Sequence, residues 1–442
     1  MLVALTVAGS DSLGGAGIEA DVKAMASQGV HGAVAITAVT AQNSCRVARI
    51  LPLPVDEIIG QMDAVLEDVH ISAAKTGMLY SAEIATAVAQ RLASTDFPLV
   101  VDPVLVAGVG DALGREGLVE AMRERIAPLA TIITPNVPEA EALTGLSIST
   151  DDDVRRACRS LVKQGSEAVL LKGGHMDGDR SVDTLYHQGK FLRLGSPRVE
   201  ARGHGGGCIL SSYLTANLAK GMGVWESFIA SRAAIMESIA GRFQVGRGVP
   251  VVEPMGGILK DAHRYRVSAR LKASAERAGG SLPRSWVPET GAEMVFCLPG
   301  ATNIMDVCGT AVPTRAREGE RCPTFGGAPR LSAAVLASMM YDGGMRAGMS
   351  LRCTSSVVNW ARRAGLSIGT YRRRMGTGDI TRCEREAMED LINVLGCVPD
   401  VACDRGGPGR ARPGGWRRSR DTAVRPPPRR SALRRNGSEP RR

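Results

Sequence analysis

Gly203-His204-Gly205-Gly206-Gly207-Cys208, followed directly by an apolar, Ser-bearing stretch at 209–219, sets free backbone amides and one thiol at the start of a predicted helix. Glycines let a backbone adopt positive φ and approach a ligand closely, and the unpaired amides and positive dipole end of a helix attract an anion. That chemistry suits a phosphate. The same field is expected to lower the pKa of Cys208 toward thiolate. Taken alone, such a run reads equally well as a flexible turn before a surface helix.

Other polar segments weigh on the choice. Ala8-Gly9-Ser10-Asp11-Ser12 begins a small-residue loop running through Gly14, Gly15 and Gly17 to Glu19 and Asp21, with room for a polar small molecule. Gln42, in Thr40-Ala41-Gln42-Asn43, offers an amide donor and an acceptor to the edge of a heteroaromatic base. Further on come Lys75-Thr76-Gly77-Met78-Leu79, Asp102-Pro103-Val104, Thr134-Pro135-Asn136-Val137-Pro138-Glu139 and Lys172-Gly173-Gly174-His175. Each alone is ordinary chain punctuation or a solvated strand end; their succession is not.

The elements that must position these segments alternate. Apolar runs at 3–8, 32–39, 73–75, 99–102, 131–134 and 168–172 read as strands, and patterns at 16–28, 55–68, 82–93, 117–126 and 151–164 read as helices. Strands buried on both faces and interleaved with helices predict a mostly parallel central sheet in an α/β sandwich. Ligands in such folds bind beyond the carboxyl ends of the strands, where the polar segments fall.

In this order, the segments together resemble the successive motifs of the hydroxymethylpyrimidine and phosphomethylpyrimidine kinases of thiamine biosynthesis, over residues 1 to about 245. The resemblance implies a ribokinase-like three-layer sandwich that uses ATP and Mg2+ to phosphorylate a pyrimidine alcohol and then its monophosphate. By motif, Asp21 and Gln42 hold the aminopyrimidine, with Gly9 and Met78 packed around it. Asn136 and Glu139 position the metal and the ATP phosphates, with Glu139 the metal-side carboxylate, and Lys172 and Gly173 lie toward the nucleotide. The amides of Gly205, Gly207 and Cys208 face the phosphoryl group in transit, and Cys208 stands where related sugar kinases place a carboxylate base; base and anion-binding roles both stay open. The family loop usually reads His-Gly-Thr-Gly-Cys-Thr, whereas Gly206 and Ile209 fill the two threonine places and Leu13 replaces a usual glycine. One lost hydroxyl donor costs on the order of 1.4 kcal/mol, about tenfold in turnover, so a working but slowed kinase is expected.

Beyond about residue 250 the alternation stops. Residues 242–254 read as a loop, 259–278 as one amphipathic helix and 279–283 as a linker, so the predicted division is a kinase domain at 1–250, a helix and linker at 251–283, a smaller α/β domain at 284–410 and an Arg/Pro-rich disordered tail at 411–442. Residues 284–410 resemble the thiamine-phosphate synthase module found fused behind such kinases, through segments such as Leu298-Pro299-Gly300-Ala301, Phe325-Gly326-Gly327-Ala328 and Arg346-Ala347-Gly348-Met349. The resemblance implies joining of the pyrimidine pyrophosphate to thiazole phosphate. Yet Gly309-Thr310-Ala311 stands for the family's Gly-Arg-Ile, Arg330 for a histidine, and Ser350 and Cys353 for an Asn and a Tyr. A pyrophosphate leaving group needs cationic or donor partners, and Arg330 supplies charge but no titratable proton. A synthase, a ligand sensor and a vestigial module stay open here.

The net charge of +10 resides in the tail: residues 401–442 carry 13 Arg against Asp404, Asp421 and Glu439, which leaves the body neutral. Nucleic-acid binding by the folded part is therefore not expected, and in the tail aromatic interleaving amounts to Trp416 alone. Ten scattered cysteines without a Cys-x-x-Cys pair fit reduced thiols in a cytoplasmic protein. No signal peptide or membrane span is read, and the partners expected are small molecules and ATP. The resemblance further implies a homodimer.

Overall fold

Strand periodicity divides the first part of the chain into two cores. In the computed structural model, which describes residues 1–106, 113–175, 179–198, 203–313, 322–371, 379–404 and 421–424, Met1–Leu259 and Lys260–Arg442 are two compact units. The first is built from β1 (Val3–Asp11), α1 (Gly17–Ser27), β2 (His31–Gln42), β3 (Val47–Pro52), α2 (Val55–Asp68), β4 (Ala73–Thr76), α3 (Ala82–Leu92), β5 (Leu99–Val101), α4 (Leu118–Ala121), β6 (Ile132–Ile133), α5 (Val137–Thr144), α6 (Asp151–Lys163), β7 (Ala168–Leu171), β8 (Arg180–His187), β9 (Lys190–Pro197), α7 (Gly206–Ala219) and α8 (Val224–Ala240). The strands form one nine-stranded sheet in the order β3-β2-β1-β4-β5-β6-β7-β8-β9. The pairs from β2 through β7 are parallel, and β3, β8 and β9 add antiparallel edges.

Successive side chains of each central strand enter opposite cores. Leu5, Val7, Leu99, Val101, Ile133, Val169 and Leu171 pack in a core with α2, α3, α5 and α6. Ala4, Val100, Ile132, Ala168 and Leu170 pack in a second core with α1, α7 and α8. This is the expected three-layer sandwich. The expected helix at 117–126 is one α turn that widens into a π turn at Met122–Ile126 and tightens again at Ala127–Leu129, where Pro128 removes a donor. The β8–β9 hairpin carries little sequence signal, because its outer strand keeps no strict alternation, with Phe191 and Leu192 adjacent, and includes Gly195 and Pro197.

α9 (Gly256–Ser281) extends past the expected 259–278 and includes Gly279, where a β-carbon would lie 2.0 Å from the carbonyl oxygen of Pro313, so only glycine fits that approach. The second unit has β10 (Glu293–Cys297), β11 (Val307–Ala311), β12 (Thr324–Phe325), α10 (Pro329–Tyr341), β13 (Ala347–Arg352), α11 (Ser355–Arg363), β14 (Ile368–Tyr371), α12 (Ile380–Leu395), β15 (Val401–Asp404) and β16 (Asp421–Val424). They make a seven-stranded sheet in the order β12-β11-β10-β13-β16-β15-β14. Within the Arg/Pro-rich segment at 411–442, expected from the sequence to be a disordered tail, Asp421–Val424 pairs antiparallel with both β13 and β15; the rest of that segment lies outside the described residues. All ten cysteines are free. Among the described residues no helix is long and apolar enough to cross a membrane.

Candidate active site

The site lies where the parallel strands end, and β1 supplies its first wall. Asp11, the last residue of β1, turns its carboxylate back to accept from the amides of Leu13 (2.9 Å), Gly15 (3.0 Å) and Ala16 (2.9 Å), closing the small-residue loop over itself. Burial alone would raise the Asp11 pKa, but the hydrogen bond from His204 and those from the loop amides hold it below the ordinary carboxylate value. Gly9 and Met78 stand together: a β-carbon on Gly9 would lie 2.8 Å from Met78 Cε. Met78 packs with Ala38 and Leu113 into an apolar wall, and Gln42, half-buried at the end of β2, stands with its amide nitrogen 3.0 Å from His204 Nε2.

Asp21 is placed differently from the sequence reading. It is fully buried, and its oxygens accept from Thr6 Oγ1 (2.7 Å), Lys75 Nζ (2.8 Å) and Ser212 Oγ (2.7 Å), so the carboxylate is engaged inside the fold and closed to solvent. Its work is to hold Lys75, itself fully buried. Burial opposes the charge on Lys75, and the carboxylate of Asp21, with further help from that of Asp102, restores it and raises the pKa above its ordinary value.

The second charged cluster follows β5, β6 and β7. Asp102 is 1% exposed and accepts from Lys172 Nζ (2.9 Å), Thr134 Oγ1 (3.2 Å) and Ser211 Oγ (3.2 Å). Burial pushes its pKa up, but the ammonium groups of Lys172 and Lys75 overcome that and keep Asp102 ionised. Asn136 caps α5, with its Oδ1 taking the Glu139 amide at 2.9 Å while Glu139 Oε2 takes the Asn136 amide at 2.8 Å, a reciprocal capping box. Lys172 bridges the two carboxylates, 3.7 Å from Glu139. For Glu139 burial wins: its pKa is pushed up to about 7, against the attraction of Lys172 and with the help of the Asp102 charge. Gly173 does not face this cluster through its amide, which donates to Asp183 Oδ1 at 2.9 Å, and a β-carbon there would meet the Val182 carbonyl at 1.9 Å; close packing requires the glycine.

The glycine run closes over both clusters. Gly205 caps α7 at φ +91°, and a β-carbon on it would strike the Gly15 carbonyl at 1.8 Å, which fixes this loop against the first. The first helical bond comes from Ile209 to the Gly205 carbonyl, so the amides of Gly206, Gly207 and Cys208 stand free of the described residues. A β-carbon on Gly207 would sit 3.3 Å from Lys172 Nζ and 3.9 Å from Asp102 Oδ2, so these amides open directly beside the ammonium. Cys208 departs from the expected thiolate. Packed among protein on most sides and beside Asp21 and Asp102, its thiol is pushed up to about 12, burial outweighing the ammonium of Lys75. The fold thus gathers Gly9, Gln42 and Met78 at one end and Asn136, Glu139, Lys172 and the Gly205–Cys208 turn at the other. Sequence reading does not assign roles to Asp11, Lys75, Asp102, His204, Ser211 or Ser212. The available signals are a lysine in an otherwise uncharged buried strand and an Asp-Pro at a strand end.

In the second unit, Gly309 sits in β11 where a β-carbon would lie 2.6 Å from the Gly327 carbonyl, Arg330 is exposed in the first turn of α10, and Ser350 Oγ takes the Glu293 amide at 2.8 Å. Cys353 packs in an apolar cluster with Leu351 and Val357. Across the described residues of both units, no group of three or more His, Cys, Asp or Glu side chains is spaced to hold a metal ion.

Comparison with known proteins matches this architecture. A Bacillus subtilis pyridoxal kinase solved as an ADP complex superposes with a TM-score of 0.55 at 33% identity, over 59% of this chain and 99% of that one. The fold and the charged cluster at the strand ends define a ribokinase-like kinase. The family model described as phosphomethylpyrimidine kinase matches residues 11–253, more than half of the chain, and the chain belongs to that family. The hydroxymethylpyrimidine/phosphomethylpyrimidine kinase of Streptomyces coelicolor is 44% identical over 250 residues, 56% of this chain and 93% of the relative. A Geobacter sulfurreducens protein named thiamine biosynthesis bifunctional protein ThiED is 43% identical over 248 residues, 55% of this chain and 50% of that protein. The model described as thiamine-phosphate synthase ThiN matches residues 280–411, so a synthase-like module follows the kinase.

Proposed function

We propose that a kinase domain at residues 1–250 transfers the γ-phosphoryl group of ATP to the alcohol of 4-amino-5-hydroxymethyl-2-methylpyrimidine and then phosphorylates the monophosphate, supplying thiamine biosynthesis in the cytoplasm. The observation that carries this reading is the meeting of three free helix-start amides with the buried Asp102–Lys172 pair. Phosphoryl transfer asks mainly for positioning and for stabilisation of spreading negative charge, and fixed amides beside an ammonium supply both. The apolar wall of Gly9 and Met78, with Gln42 at its edge, seats the ring. Asp21 acts one layer behind, through Lys75.

The carboxylates suit magnesium, which is commonly held by one or two carboxylates together with substrate phosphates and water. Asp102 and Glu139 lie on either side of Lys172, and the raised pKa of Glu139 marks a carboxyl that gains from an added cation. Bound magnesium would neutralise charge on the ATP phosphates. Cys208, as a thiol, contributes contact and a weak donor to the anion rather than a base.

The match to a synthase model and the similarity to a bifunctional thiamine protein support a second reading, in which residues 284–410 also condense the pyrophosphate with thiazole phosphate. Incubation of the full chain with the pyrimidine alcohol, ATP and magnesium, followed by thiazole phosphate, separates the possibilities. ADP release is expected. Its absence would sink both readings in favour of a non-catalytic sensor, and ADP without thiamine phosphate would leave the kinase alone.

A further inference from the structure

His204 and Gln42 meet over Asp11. His204 Nε2 is 2.9 Å from Asp11 Oδ2 and 3.0 Å from the Gln42 amide nitrogen, with His204 and Asp11 buried and Gln42 half-buried. Asp11 Oδ2 accepts two backbone amides as well, and although burial favours the neutral acid, the hydrogen bonds from His204, Leu13 and Ala16 hold the Asp11 pKa below the ordinary carboxylate value. An ionised carboxylate only accepts, so His204 Nε2 carries a proton. A protonated Nε2 has no lone pair for the Gln42 NH2, and that orientation would set two donors face to face.

A half-turn of the amide removes the conflict at no steric cost, because amide oxygen and nitrogen are nearly identical in size. Thr40 argues for the same orientation. Its hydroxyl donates to the Ser10 carbonyl at 2.9 Å, which leaves it an acceptor toward the other Gln42 amide atom at 3.4 Å, and an NH2 satisfies it there. On the far side of the ring His204 Nδ1 is buried with no partner among the described residues, where a proton would be an orphaned donor.

We propose that His204 is a positioning residue that presents Nε2–H to Asp11 and Gln42 and so locks the Gln42 amide with its NH2 on the Thr40 side, one hydrogen directed to Thr40 and the other left for the substrate. The site then reads an acceptor, a bare ring nitrogen, at that edge of the heteroaromatic ring, in preference to an exocyclic amino donor. The identity of the ring rests on the kinase reading above; the orientation of the amide does not.

Two measurements on the full chain test this. In protein labelled with 15N in its histidine rings, the His204 signals, assigned by their loss in His204→Phe, are expected to show a protonated Nε2; a bare Nε2 would overturn the proposal. In kinetics, replacing the ring nitrogen beside the amino-bearing carbon by C–H is expected to lower kcat/KM about tenfold, more than removal of the amino group does. Gln42→Ala and His204→Phe should each erase that preference. A preference lost instead on removing the amino group, or one kept in His204→Phe, would overturn the assignment. A protonated Nε2 in a protein that phosphorylates no pyrimidine would support the amide orientation and sink the kinase reading.

Discussion

Lys172 Nζ lies 2.9 Å from Asp102 Oδ1, and the first turn of α7 passes so near that a β-carbon on Gly207 would sit 3.3 Å from the same nitrogen. The ammonium is therefore held by a fixed carboxylate on one side and left facing free amides on the other. A cation so placed does not reorganise when charge develops on a phosphoryl group, which is where electrostatic catalysis gains most. Ser211 and Ser212, adjacent in α7, bind Asp102 and Asp21 respectively, so one helix turn sets the spacing of both buried carboxylates.

Removing the ammonium tests this pairing. Lys172→Met leaves Asp102, 1% exposed, without its main counter-charge, and breaking a buried pair from one side costs about 3–5 kcal/mol. Urea titration should show a loss of that order, and ADP release should fall by about two orders of magnitude. Adding Asp102→Asn should recover at least half of the stability and none of the turnover. A single variant that unfolds together with the unsubstituted protein would show that the pair carries no stability.

Two neighbouring glycines should fail in different ways. Gly205 has φ +91° and no room, since an added methyl would lie 1.8 Å from the Gly15 carbonyl, so Gly205→Ala is expected to lower the melting temperature by several degrees. Gly207 lies inside α7, where alanine favours the helix, and its β-carbon meets only Lys172 and Asp102. Gly207→Ala should melt at or above the original temperature while the KM for ATP rises about tenfold. Equal effects on melting and KM at the two positions would contradict the separate roles.

Much of the first unit is legible in the sequence because its signals are periodic. Val3–Asp11 alternates between two apolar cores, and the polar segments follow strand ends, so fold and site location both come from pattern. Charge partners are not legible. Asp21 looks like a ligand-facing acid on a helix, and only the three-dimensional approach of Thr6, Lys75 and Ser212 makes it a buried anchor. Cys208 likewise stands at a helix start, a place that lowers a thiol pKa in the open, but burial beside two carboxylates reverses the sign. β16 escapes because four residues in an Arg/Pro-rich context carry no usable period; their pairing depends on β13 and β15.

The thiol gives a pH test. With its pKa pushed up to about 12, Cys208 should contribute no limb to the rate profile between about pH 7 and 10. Profiles of the unsubstituted protein and Cys208→Ser should have the same shape, with turnover within about threefold, and Cys208→Ala should lose more because the polar contact goes. A limb near pH 8–9 that vanishes in the serine variant would restore the thiolate as a base.

Glu139 should leave its mark on stability. Its pKa is pushed up from 4.5 to about 7, so between those values the folded chain binds a proton that the unfolded chain has released. Stability from this group is full below about pH 4.5 and is lost as pH rises through 7, by at most on the order of 3 kcal/mol. Asp102 works with the opposite sign and in a separate window: its lowered pKa adds stability above its ordinary value of 3.8 that is lost as pH falls below it. Glu139→Gln keeps an acceptor for the Asn136 amide and removes the titration. Denaturant midpoints of the original protein should therefore decline from pH 4.5 to 7 relative to those of Glu139→Gln. Added magnesium with ATP should shrink that decline, since a bound cation favours the ionised carboxylate. Parallel curves across the window would mean that Glu139 is already ionised at pH 5.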